Sequence, residues 1–253
     1  TLGLIQYLLG QKHLANVGNF LGNSQNAEEK EAINRPLNKV EKDRVVVLFL
    51  SFLLVIVFWG AFEQAGGLMN IYAKENTNRM LMGYEVPASW FQSLNAIFLG
   101  TTVAGYWAKR KLKGLLSTAL FKMIIGLIIM GTGFFFMSAA ASQFESTGSS
   151  AMYWLVLAYL FHTVGELCIS PVALSYITKL APLKYGSLMM GVYFAMTGFG
   201  NKVAGLLGES ASSYGELTIF TGIAVFCVAF GLVVLLFRKK LETLTHGAED
   251  QEH

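Results

Sequence analysis

Apolar runs of about twenty residues or more recur six times in this 253-residue chain, and no other feature restricts its fold as much. They lie at approximately 45–73, 87–108, 114–139, 151–178, 186–208 and 217–237. Lipid offers no partner to a backbone amide, so a segment that crosses it must satisfy its own hydrogen bonds. The runs lack the apolar–polar alternation of barrel strands, which leaves helices. Charged residues make up only 14% of the chain and hydrophobic ones 54%, against about 25% charged in a soluble domain. The expectation is an all-α membrane protein, a six-transmembrane-helix bundle.

The placement of charge orients that bundle. Fifteen of the 19 Lys and Arg fall before the first span, in the Lys109 to Lys113 turn, at Lys179 and Lys184, or in Arg238-Lys239-Lys240. Only Lys74 and Arg79 fall in the alternate loops. The bias of basic residues towards the cytoplasm predicts both ends inside, with the loops near 74–86, 140–150 and 209–216 outside. A net charge of +3 distributed this way belongs to a membrane boundary and not to a nucleic-acid surface. Cys168 and Cys227 both lie within spans, where a small apolar role fits better than a disulfide.

Residues 1–10 are apolar but too short to span, and read as the stump of a preceding helix. No secretory leader fits there. Residues 11–43 are polar, contain Pro36 and read as a cytoplasmic linker; 44–240 form the bundle; 241–253 form a polar, disordered tail. A stump, a linker and six spans predict the second half of a twelve-span protein. Gly126, Gly131, Gly198 and Gly200 are expected at close helix crossings.

A charge at the centre of a membrane helix costs about 2.5–3.5 kcal/mol, so such residues face the interior and find partners. Here they are Glu63, Lys122, His162, Glu166 and Lys202. Gly66 and Gly67 weaken the helix just after Glu63. Pro171 cannot donate to the carbonyl of Leu167 and should bend the helix one turn beyond Glu166. His162, Glu166 and Ser170 are spaced by four along one helix face. Carboxylates beside helix breaks are a transporter's pattern, able to bind a proton or a cation. His162 is either a packing residue or a proton-handling neighbour of Glu166. Lys122 and Lys202 fit structural pairing near an interface. No metal site is expected, since His162 and Glu166 lack a third ligand, and no nucleophile motif surrounds Ser170. The chain is not expected to be an enzyme or to hold a cofactor.

FWGAFEQAGG, VPASWFQSLNAIFLG, GELCISPVALSYITKLAP and MMGVYFAMTGFGNKVAG resemble, in order and spacing, the last six helices of the proton-dependent oligopeptide transporter (POT) family. That resemblance covers about 45–240 and implies half of a twelve-helix major facilitator fold. It implies that Glu166 holds the free amino group of a peptide, with Asn95 beside it and Ser170 one turn along. It also implies that Glu63 is the carboxylate pairing with a first-helix arginine as the outer gate closes, coupling protonation to that closure; from the reading of the residues, His162 joins it as a candidate for proton coupling. Tyr193 falls where many members place a tryptophan, and Ala96 where many have proline. Many bacterial members carry two further helices between the halves; residues 11–43 contain no such span.

The resemblance implies proton-coupled symport of di- and tripeptides in the cell (inner) membrane, with protons, peptides, lipid and a missing N-terminal half as partners. The chain alone is not expected to transport. Its uncovered polar face favours self-association. The competing readings are a non-transporting assembly or sensor half, and transport of another small solute such as nitrate.

Overall fold

The computed structural model describes residues 35–100 and 118–248. The expected stump, most of the linker, the basic turn at 109–113 and the final tail residues lie outside them. The first helix, α1, spans Lys39–Phe62. Its start is set by a capping box: the Asn38 side chain accepts from the Glu41 amide at 2.8 Å, and the Glu41 carboxylate accepts from the Asn38 amide at 2.8 Å. Arg35 braces the same carboxylate at 2.8 and 2.9 Å. The helix therefore begins inside the segment read as linker to residue 43.

α1 stops where expected. A single 3-10 turn, Glu63–Ala65, follows, and the chain restarts as α2, Leu68–Glu75. The amides of Gly66 and Gly67 both donate to the Glu63 carbonyl at 3.2 Å, closing the broken end. Next come the short strands β1 (Thr77–Asn78), β2 (Met80–Leu81) and β3 (Tyr84–Glu85), then α3, Ala88–Gly100. α4, Ala119–Thr147, ends on Gly148 in the left-handed region at φ 77°, as a C-terminal glycine allows. After β4 (Ser150–Ala151) run α5 (Met152–Leu180), α6 (Gly186–Tyr214) and α7 (Glu216–Thr243).

Among the described residues, four helical segments are long and apolar enough to cross a membrane: Lys39–Glu75, Ala119–Thr147, Met152–Leu180 and Glu216–Thr243. α6 has equal length but is less apolar, and the second expected span is described only as far as Gly100. Several helices outrun the apolar runs, because a helix continues past the hydrocarbon boundary into polar sequence; α4 reaches Thr147 where 139 was expected.

α4 packs against both α5 and α7, α1 against α6, and α3 against α5. The α4–α5 crossing is tight because three glycines face it. A Cβ at Gly126 would lie 2.7 Å from the Cys168 Cβ, one at Gly165 2.8 Å from the Gly126 carbonyl, and one at Gly133 2.9 Å from the His162 ring. Gly131 and Gly231 play the same part between α4 and α7, and Gly60 and Gly200 between α1 and α6. Gly198 does not: among the described residues nothing lies within 4 Å of its would-be Cβ. The core between these helices is apolar and aromatic, with Tyr72 and Phe134 both packed on Phe220.

The three loops expected to share one side do meet. Thr77 pairs with Ser150, the Ser150 amide donates to the Asn76 carbonyl at 2.8 Å, and Asn76 Nδ2 donates to Glu216. At the other end, Arg44 Nε donates to the Thr245 carbonyl at 3.0 Å, His246 meets Asp43 at 2.8 Å, and Thr118 donates to Glu242 at 2.7 Å. Residues 241–248 are thus helical or turned and docked, with Leu241, Thr245 and Ala248 buried. The disordered tail read from residue 241 is corrected accordingly: its polar letters form a clasp on the start of α1.

Candidate functional site

The two acidic residues differ in their local backbone. Glu63 opens the 3-10 turn after α1, and its side chain is exposed. Glu166 sits in α5, which continues unbroken through Pro171 to Leu180. The expected pair of helix breaks is therefore a single one, beside Glu63. Proline lacks one donor, yet Pro171 is exposed on α5 and the helix runs on through it.

Glu166 is half-buried and takes a 2.9 Å hydrogen bond on Oε2 from Asn95 Nδ2 of α3. The sequence reading put these two residues together, and the structure brings them into contact. Beneath them lies a polar chain that the sequence reading did not single out. The Thr163 hydroxyl, 1% exposed, is 2.6 Å from Asn95 Oδ1 and 2.8 Å from the Tyr159 carbonyl. The Tyr159 hydroxyl donates to the Ala65 carbonyl at 2.7 Å, in the turn that follows Glu63. On the other side of that turn, Gln64 is buried and its Nε2 donates to the Ala204 carbonyl of α6 at 2.9 Å. Thr163 and Tyr159 precede Glu166 by three and seven residues, a helical stripe that could have been read from the spacing.

Ser170, one turn past Glu166, is half-buried, and its hydroxyl oxygen has no partner among the described residues. His162 does not join it. The imidazole is 1% exposed, its ring lies 4.5 Å from that of Phe134, and neither nitrogen has a described partner. It is packed into the α4 crossing and makes no hydrogen bond to Glu166. Tyr193 is 4% exposed and packs edge-on against Phe194, so a contact with a peptide would require its ring to leave that packing. Lys122 and Lys202 form no ion pair among the described residues, and Lys202 is exposed on α6. Cys168 and Cys227 are free thiols.

Comparison with known proteins decides the family. The profile described as PTR2, POT family, matches residues 8–216. The chain belongs to the POT family. Among POT relatives, the peptide transporter YePEPT of Yersinia enterocolitica is 32% identical over 224 residues, covering 85% of this chain and 44% of the relative. The uncharacterized transporter YclF of Bacillus subtilis is 32% identical over 219 residues with the same coverage. The di-/tripeptide transporter of Lactococcus lactis subsp. cremoris is 26% identical over 262 residues, covering 95% of this chain and 52% of the relative. A crystal structure of a peptide transporter POT superposes with a TM-score of 0.74 at 26% identity, over 84% of this chain and 43% of that one. A POT family transporter in complex with a thioalcohol-conjugated peptide gives 0.74 at 25% identity, over 83% and 45%. The chain thus spans about half the length of these POT proteins. Its fold is that of a multi-pass helical membrane protein, matching part of the POT transporter fold.

Proposed function

We propose that this chain forms the C-terminal half of a proton-coupled di- and tripeptide transporter, and that Glu166 receives the peptide's ammonium group. The observation that carries this reading is the Asn95–Glu166 hydrogen bond on a half-buried face. Asn95 occupies one oxygen of the carboxylate, and Oε1 takes no bond from any described residue, leaving it to a cation. The unpaired Ser170 hydroxyl adds a neutral hydrogen-bonding group one turn away. The names of the Yersinia and Lactococcus relatives, and the conjugated peptide held by a solved relative, agree with that substrate class.

Glu63 is the proton-linked gate residue in this account. It is exposed at the only helix break among the intramembrane carboxylates described, where a cation from the other half can approach it. Alternating access follows from two halves rocking about a site between them. The chain alone then has one wall of that site. Both chain ends face the cytoplasm of a cell (inner) membrane, and the Thr77–Ser150 end faces outward.

Proteoliposomes test the proposal. With an inward proton gradient, the complete transporter containing this sequence accumulates a labelled dipeptide, and the 253-residue chain alone does not. Gradient-driven uptake of nitrate, with no uptake of peptide, would favour the competing solute class.

A further inference from the structure

We propose that Thr163 is a positioning residue for the peptide site: its hydroxyl fixes which end of the Asn95 side-chain amide faces Glu166. This rests on the reading of Glu166 as the ammonium receptor. The two ends of an asparagine amide are nearly equal in shape and opposite in chemistry, so hydrogen bonding alone decides which way the amide points. Asn95 touches two groups with that power, Glu166 at 2.9 Å and Thr163 at 2.6 Å. The 2.6 Å separation suits O–H···O and is short for N–H···O, whereas 2.9 Å is ordinary for N–H···O. Oδ1 therefore faces Thr163 and Nδ2 faces the carboxylate.

The Thr163 hydroxyl has one proton and two acceptors within reach. The Tyr159 carbonyl, at 2.8 Å, already accepts the Thr163 amide as part of the α5 ladder, whereas Asn95 Oδ1 has no other described donor. The proton is needed at Oδ1. Turning the amide over would set Oδ1 against a carboxylate oxygen, acceptor against acceptor, and would leave the carboxylate without its donor. A threonine that merely returned its hydroxyl to the preceding helical turn would have no such effect. Thr163 thus reaches the substrate through Asn95, and Tyr159 on the same stripe ties that edge of α5 to the turn behind Glu63.

The test uses the complete transporter, reading KM and kcat for a dipeptide and its affinity for the N-acetylated form. Thr163→Val keeps the shape and removes the hydroxyl. The expected result is a KM for the free dipeptide raised about two- to fivefold at unchanged kcat, with N-acetyl binding unaltered, so discrimination between the two narrows. Thr163→Ser restores both. In an Asn95→Ala background Thr163→Val has no further effect, as a residue acting through Asn95 requires. Thr163→Ala serves the same purpose if valine impairs folding. Wild-type KM and discrimination in Thr163→Val, or a defect that serine does not rescue, would overturn the proposal. Glu166→Gln in the same assay separates the two levels. Unimpaired peptide binding there defeats the ammonium-site reading itself, while loss there beside a silent Thr163→Val defeats this inference alone.

Discussion

The Tyr159 hydroxyl donates to the carbonyl of Ala65 at 2.7 Å, joining the helix that carries Glu166 to the turn that carries Glu63. Both groups are buried, so neither has water to fall back on. The bond makes the break after α1 a defined structure, held from one side by Tyr159 and from the other by Gln64 on the Ala204 carbonyl.

Tyr159→Phe should therefore destabilise the bundle by about 1–3 kcal/mol, the cost of a buried carbonyl left without its donor. Thermal unfolding of the detergent-solubilised protein measures it. An unchanged melting temperature would mean that the turn after Glu63 is held without this bond.

The glycine crossings differ in what they tolerate. Gly126→Ala places a methyl 2.7 Å from the Cys168 Cβ and 2.9 Å from the Gly165 carbonyl, and backbone cannot yield cheaply. A loss of about 1–3 kcal/mol is expected. Gly198→Ala meets nothing within 4 Å and should be neutral or slightly stabilising in this chain, since alanine favours helix over glycine. Parallel denaturation curves of the two variants check the difference.

The C-terminal clasp should show in hydrogen exchange. Arg44→Ala removes the donor to the Thr245 carbonyl, and the amides of Leu244 to Ala248 should then exchange several-fold faster. Exchange as fast in the unaltered chain as in the variant would return these residues to a free tail.

Orientation can be read by cysteine labelling in whole cells. Ser146 and Ser212, both exposed near the Thr77–Ser150 end, should react with an impermeant reagent from outside, and Lys184 should not. Labelling at Lys184 from outside would reverse the assignment.

Much of this architecture was legible in the letters, because the cost of unpaired backbone in lipid leaves little freedom. The apolar runs located the helices, and Gly66-Gly67 after Glu63 located the break. Three particulars were not read correctly. Pro171 removes one donor, which a helix can lose without parting, and α5 does not part there. Gly198 and Gly200 look alike in sequence, but two positions apart on a helix they lie about 200° apart around its axis, so only Gly200 faces α1. The residues after Leu241 are polar in the manner of a tail, yet they meet Asp43 and Arg44 some two hundred positions earlier. For His162 the letters left packing and proton handling both open, and its ring lies against the bare space at Gly133 and the ring of Phe134. Asn38 with Glu41 is a capping box present in the letters, and the reading of residues 11–43 as linker passed over it.

The ammonium site at Glu166 is the centre of this account, and equilibrium dipeptide binding to the complete transporter, wild type against Glu166→Gln, tests it most directly. An amide cannot offset the desolvation of the ammonium, and breaking a buried pair costs about 3–5 kcal/mol, so Kd should rise a few hundredfold or more. Asn95→Ala should raise it only about fivefold, as befits one neutral hydrogen bond. A Glu166→Gln protein that binds dipeptide within threefold of wild type would contradict the account.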